Sequence, residues 1–147
     1  MKINVHEIPS TGLSLEETGT GAEFDLAGPG MVFTQLVTIR AEVQKIDGVV
    51  EIALTVKSAF TCNCDRCLEK MSRALQTAVT VLRPVKGESE IDITQLAREE
   101  VLLGYPQKWL CRDDCKGLCV QCGRNLNKDF CNCRKQETSS PFDGLSI

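Results

Sequence analysis

The sequence predicts an α+β fold: an antiparallel β-meander, or a partly closed small barrel, with one main helix and a cysteine-rich C-terminal module. Three observations predict it. Apolar residues fall at every second position in successive stretches between residues 35 and 83, the period of strands with one buried face. Residues 92–104 change to helical spacing. From 111 to 133 the apolar pattern gives way to six cysteines.

The opening "KINVHEI" alternates and predicts a short strand. Pro9 to Gly30 is polar and interrupted by Gly12, Gly19, Gly21, Gly28 and Pro29, which predicts a long loop holding at most one short strand. Its Gly-x-Gly pair lacks the Gly-Lys-Ser/Thr ending of a phosphate-binding loop. Val37, Ile39, Ala41 and Val43 mark the first regular strand, and Asp47-Gly48 the hairpin turn after it. Val50, Ile52, Leu54, Val56, Ser58 and Phe60 mark the return strand. Leu75, Thr77, Val79 and Val81 mark a third that runs to Pro84. In the helix at 92–104, Asp92 is placed to cap the N-terminus, with Gln95 three residues on as in a capping box. Ile93, Leu96, Ala97, Val101 and Gly104 share one face, and Pro106 stops the helix. These boundaries predict a sheet domain at 1–106, a cysteine-rich module at 107–135 packed on it, and a tail at 136–147.

The composition is that of a globular chain, with 42% hydrophobic and 25% charged residues. With five Phe, one Trp and one Tyr, aliphatic side chains must supply most of the burial. No stretch approaches the ~20 apolar residues of a membrane span. The start "MKINVHEIPS" has no apolar region after Lys2, so the chain is expected to stay in the reducing cytoplasm, where stable disulfides are rare. Nine cysteines is also an odd number. Thiolates for metal are therefore the expected use.

"CVQCG" at 119–123 has the form of a zinc knuckle: two thiolates at C-x2-C spacing, then a glycine able to take the positive φ of the tight turn. Cys131 and Cys133 close a four-thiolate site with Cys119 and Cys122. "CDRC" supplies a second knuckle, Cys64 and Cys67, with no partner pair nearby in sequence. Cys111 and Cys115 are expected to complete it, stapling the module to the sheet, although Cys115 could instead enter the first site. Cys62 is left over. Sulfur ligands without histidine favour Zn²⁺ or an iron–sulfur centre, and a closed Cys₄ site leaves no position for water. Two structural zinc ions are the expected content.

Other chemistry is weaker. "CKGLCVQC" has the C-x3-C-x2-C spacing that holds a [4Fe–4S] cluster, but the chain is short, and two further cysteines follow that a three-ligand cluster does not need. A thioredoxin-like role lacks its βαβ surroundings. The single histidine, His6, stands in the opening strand, so no Ser-His-Asp or Cys-His arrangement is offered. No enzymatic activity is expected.

Four stretches taken in order, "CDRCLE" after a hairpin, "EIDITQLAREEVLLGYP", "CRDDCKGLCVQCGRNLN" with its following "CNC", and "SPFDGL", resemble the YceD-like proteins from about residue 35 to the end. These are bacterial and plastid proteins linked to accumulation of large-subunit (23S) ribosomal RNA. The resemblance implies a cytoplasmic, non-enzymatic factor in rRNA processing or ribosome assembly, partnered by the rRNA precursor or a preribosomal particle. The family's cysteines fall on Cys64, Cys67, Cys111, Cys115, Cys119, Cys122, Cys131 and Cys133, and Cys62 is outside the pattern.

The net charge of −3 conceals segregation. Residues 1–30 and 87–104 are acidic, whereas both cysteine clusters lie in basic segments. Arg66, Lys70, Arg73, Lys116, Arg124, Lys128 and Arg134 are therefore candidates for phosphate contact, with Tyr105, Trp109 or Phe130 stacking on unpaired bases. Asn125 and Asn127 of "GRNLN" read as turn residues. The alternative is an adapter that docks a ribosomal protein or a processing enzyme without touching RNA.

Overall fold

The computed structural model describes residues 1–28, 30–85 and 89–133. Arg134, the tail at 136–147 and its "SPFDGL" lie outside the described residues. In chain order the elements are β1 (Lys2–Asn4), β2 (Leu13–Gly19), β3 (Val32–Phe33), β4 (Val37–Ile46), β5 (Val49–Asn63), β6 (Lys70–Pro84), β7 (Glu90–Asp92) and α1 (Ile93–Leu103).

The three alternating stretches form the antiparallel meander β4-β5-β6. Asp47 and Gly48 both take positive φ, 47° and 79°, between paired Ile46 and Val49. That is the primed hairpin turn whose twist matches the strands. β2 adds to the outer edge of β4, and β3 pairs the far end of β5 beside β4. β2 and β6 lie at opposite edges, so no closed barrel forms among the described residues. A separate two-stranded sheet joins β1 to β7.

Alternation buries one face. Val37, Ile39, Ala41 and Val43 of β4 and Val50, Ile52, Leu54, Val56 and Phe60 of β5 share one cluster with Ile93, Leu96, Ala97 and Val101 of α1. Each such aliphatic side chain contributes about 1.5–3 kcal/mol when buried. The α1 face agrees with its spacing, except that Gly104 is exposed. Asp92 caps α1 by accepting the Gln95 N–H at 3.1 Å, but the Gln95 side chain donates to Glu99 at 2.9 Å. The reciprocal half of the capping box is absent.

Two boundaries depart from expectation. β2 lies in the stretch read as loop, because its inward positions include Glu17, whose charge conceals the alternation. Glu17 is satisfied there by the Thr94 hydroxyl at 2.7 Å and the Met1 ammonium at 3.3 Å. The opening strand stops at Asn4, whose side chain accepts the His6 N–H at 3.0 Å and starts a short 3₁₀ turn.

A close approach fixes the turn after β2. A methyl group on Gly21 would stand 2.2 Å from the Phe33 ring. Gly21→Ala is expected to displace Phe33 and cost about 1–3 kcal/mol, measured as a lower urea midpoint with an unchanged slope.

Candidate metal centre

β5 and β6 run past their expected ends, from Val49 to Asn63 and from Lys70 to Pro84. The hairpin tip is therefore the first knuckle itself, Cys64 to Glu69, between paired Asn63 and Lys70. The two knuckles share one backbone turn. Leu68 N–H donates to the Cys64 carbonyl at 2.8 Å, and Gly123 N–H to the Cys119 carbonyl at 2.8 Å. Leu68 and Gly123, each one residue past the second cysteine, take φ of 59° and 70°. The glycine makes the left-handed turn freely, whereas the leucine adopts it at a cost of about 1–2 kcal/mol.

The segment after α1 returns across the tip. Trp109 and Asp65 exchange bonds: the Trp109 N–H donates to the Asp65 carboxylate at 2.6 Å, and the Asp65 N–H to the Trp109 carbonyl at 2.8 Å. Arg66 donates to the Cys115 carbonyl at 3.1 Å, and Arg73 to the carbonyl of Leu110. Cys111 and Cys115 thereby meet Cys64 and Cys67.

The eight cysteines fall into two groups of four, Cys64, Cys67, Cys111 and Cys115, then Cys119, Cys122, Cys131 and Cys133, with all sulfurs of a group within 4.8 Å. Cys115 belongs to the first. Its sulfur is 3.8 Å from that of Cys64, and the Cys67 and Cys111 sulfurs are 3.7 Å apart. A disulfide needs ~2.05 Å. A tetrahedron of sulfurs ~2.3 Å from a central zinc has edges of ~3.8 Å. The donor set and the spacing fit a tetrahedral thiolate metal. Cys64, Cys67 and Cys115 are buried and Cys122 is exposed, so the first group is an inner site and the second an outer one.

Electrostatics point the same way. Burial opposes charge on Cys64, but the backbone N–H groups of Cys67, Cys111 and Arg66 outweigh it and draw the thiol down to about 6. Burial and the neighbouring sulfurs push Cys111 up to about 12. In the outer group the backbone N–H groups of Cys122 and Gln121 draw Cys119 down to about 6. Hydrogen bonding to Cys122, then burial, pushes Cys133 up to about 12. Each group accepts one thiolate readily and resists further negative charge. A dication is what allows all four to ionise.

Cys62 sits apart in the hydrophobic core, its thiol raised by burial. Tyr105 and Trp109 do not face outward for base stacking. Trp109 packs edge-on against Phe60 at 5.2 Å and Tyr105 at 5.6 Å, and the Tyr105 hydroxyl donates to the Leu26 carbonyl at 3.1 Å. Phe130 alone of the three is free, 91% exposed. Among the basic candidates, Arg66 and Arg73 bind carbonyls of the returning segment, and Lys128 pairs with Glu69. Arg124 donates to the Phe130 carbonyl at 3.1 Å. Lys70 and Lys116 are exposed, and Arg134 lies outside the described residues. Sequence reasoning missed Asp65 and Asn127 as organisers of the inner site. Their only signal was position, one inside a knuckle and one in the loop between outer ligands.

Residues 80–146 match the family model described as "Large ribosomal RNA subunit accumulation protein YceD". The stretch holds α1 and six of the eight grouped cysteines. Over this C-terminal half the chain is YceD-like. Two plant proteins, each described as "Large ribosomal RNA subunit accumulation protein YCED homolog 1, chloroplastic", are similar to it. The one from Arabidopsis thaliana is 39% identical over 56 residues, 38% of this chain and 17% of the relative. The one from Zea mays is 36% identical over 62 residues, 40% of this chain and 21% of the relative. An uncharacterized protein of Mycobacterium leprae is 27% identical over 106 residues, 61% of this chain and 49% of the relative. The YceD-like match thus spans about a fifth of the plant relatives' length. No solved structure matches the chain. Among the described residues no helix is long and apolar enough to cross a membrane.

Proposed function

We propose that this chain is a non-enzymatic, zinc-holding cytoplasmic factor in ribosome biogenesis, acting on processing or accumulation of large-subunit (23S) rRNA through direct contact by its outer cysteine loop. The observation that carries the contact is Phe130, exposed on that loop with Arg124 tied to its carbonyl. An aromatic face beside a fixed cation suits an unpaired base and its phosphate. Two zinc ions would be held by the two cysteine groups and would supply rigidity only, since closed Cys₄ sites offer no open coordination position.

A closed Cys₄ zinc carries two net negative charges, so nearby cations serve first as its counter-charge. That narrows the phosphate candidates. Arg66, Arg73 and Lys128 already hold the module to the sheet, leaving Lys70, Lys116 and Arg124 as the cations facing outward. Crosslinking of the tagged protein to RNA in its own cells should enrich one region of the large-subunit rRNA precursor. In vitro, Phe130→Ala should weaken binding to that region by about 1–3 kcal/mol, as loss of one stacked base does. Arg124→Ala should flatten the slope of log affinity against log salt by about 0.7 for single-stranded RNA.

The adapter reading keeps one observation of its own. Leu68 holds the left-handed turn that glycine makes in the other knuckle, yet is 63% exposed. An exposed apolar side chain kept at a strained position suits an anchor for a protein partner. RNA recovery no better than an untagged control, with ribosomal proteins or a processing enzyme co-purifying, would transfer the function to that surface.

A further inference from the structure

We propose that Asn127 couples the two cysteine sites, so that filling the outer site strengthens metal retention at the inner one. This rests on the zinc reading of both sites. Asn127 lies in the loop between Cys122 and Cys131, ligands of the outer site, yet its amide nitrogen donates to the inner-site sulfur of Cys115 at 3.3 Å. The direction of the amide is fixed. Its oxygen accepts the Lys116 N–H at 2.8 Å and the Arg112 guanidinium at 2.9 Å. Flipping the group would set an oxygen against a thiolate and an N–H₂ against two donors. Asn125 holds it from the other side, its carboxamide oxygen accepting from both the Asn127 backbone N–H and the side-chain nitrogen at 2.9 Å.

The loop's own footing depends on the outer site. Between its two ligand pairs it is tied down by Leu126 N–H to the Gly117 carbonyl at 2.9 Å and by the Lys128–Glu69 pair. A metal joining Cys119 and Cys122 to Cys131 and Cys133 closes the loop and holds Asn127 on the sulfur. Without it the ends part and the N–H···S bond is lost. A hydrogen bond to a ligating sulfur stabilises its thiolate form, and removing such outer partners costs about 10–100-fold in metal affinity. Linkage makes the effect reciprocal: the inner site must hold the outer by the same factor.

The test uses the full chain loaded with zinc, competed with a chromophoric chelator, and alkylation mapped by mass spectrometry to show which cysteines are released. Asn127→Asp keeps the acceptor for Lys116 and Arg112 and removes only the donor to sulfur. Asn127→Leu removes both. Each should raise inner-site release about 10–100-fold, seen as alkylation of Cys67 and Cys111. Cys122→Ser, which empties the outer site, should do the same, and combining it with Asn127→Leu should add nothing. Inner release equal to wild type in both Asn127 variants, or additive effects in the double variant, would overturn the coupling. A wild-type chain that binds no zinc, its cysteines alkylated equally with and without metal, would overturn the zinc reading and the coupling with it.

Discussion

Stripped of metal by a chelator, the protein is expected to release Trp109 while keeping its sheet. The reason lies in what each part has to hold it. Residues 105–133 bury little beyond Cys115 and Cys119, whereas the core of β4, β5 and α1 is complete without them. A structural zinc contributes on the order of 10–16 kcal/mol of binding free energy, as much as the whole net stability of about 5–15 kcal/mol typical of a domain. Removing it leaves the returning segment with the Phe60–Trp109 contact and a few hydrogen bonds. Trp109 is the single tryptophan, so its emission reports the segment directly. Its emission should shift to the red, the far-UV signature of the strands should persist, and trypsin should cut after Lys108, Arg112 and Lys116.

Cys64→Ser should reproduce that state even in excess zinc, because it breaks the inner site at the hairpin tip. Cys122→Ser in excess zinc should leave Trp109 packed, since the inner site can still fill, while residues 117–133 become accessible to protease. Trp109 emission that is indifferent to chelator and to Cys64→Ser would show that the inner cysteines do not hold the join.

Where one physical rule governed a stretch, the sequence could be read. Strict alternation placed β4, β5 and β6, the Asp-Gly pair placed the turn, and Asp92 placed the start of α1. The spacing of the cysteines placed each of the eight in its correct group. The misses came where a distant partner changed the meaning of a residue. Glu17 reads as a loop residue until Thr94 and the Met1 ammonium satisfy it in β2. Lys70 and Asn63 read as polar ends of strands until they are paired across the tip. Arg66 and Arg73 count toward a basic surface in one dimension, but their guanidinium groups turn inward to carbonyls of the returning segment. Asn127 is a turn residue, as expected, and its side chain also reaches a sulfur twelve residues upstream.

Phe60→Ala is expected to cost about 3–5 kcal/mol, the usual loss for a buried aromatic. Phe60 is 1% exposed and lies where sheet and module meet, with Phe33 at 5.7 Å on one side and Trp109 at 5.2 Å on the other. Directly across from it on β6 is Arg73, which holds the Leu110 carbonyl. The variant therefore removes an interior contact of the sheet and the apolar half of the module's docking together. Urea unfolding in excess zinc should show a lower midpoint, whereas Val120→Ala at a fully exposed site (100%) should stay within about 0.5 kcal/mol of wild type. The double variant with Cys64→Ser separates the two attachments. If aromatic packing and inner-site metal hold the same segment, removing both should cost less than the sum, by about 0.5–3 kcal/mol, because once Trp109 has left, Phe60 has no module to lose. Strict additivity would mean that Phe60 serves the sheet alone and that the metal docks the module unaided.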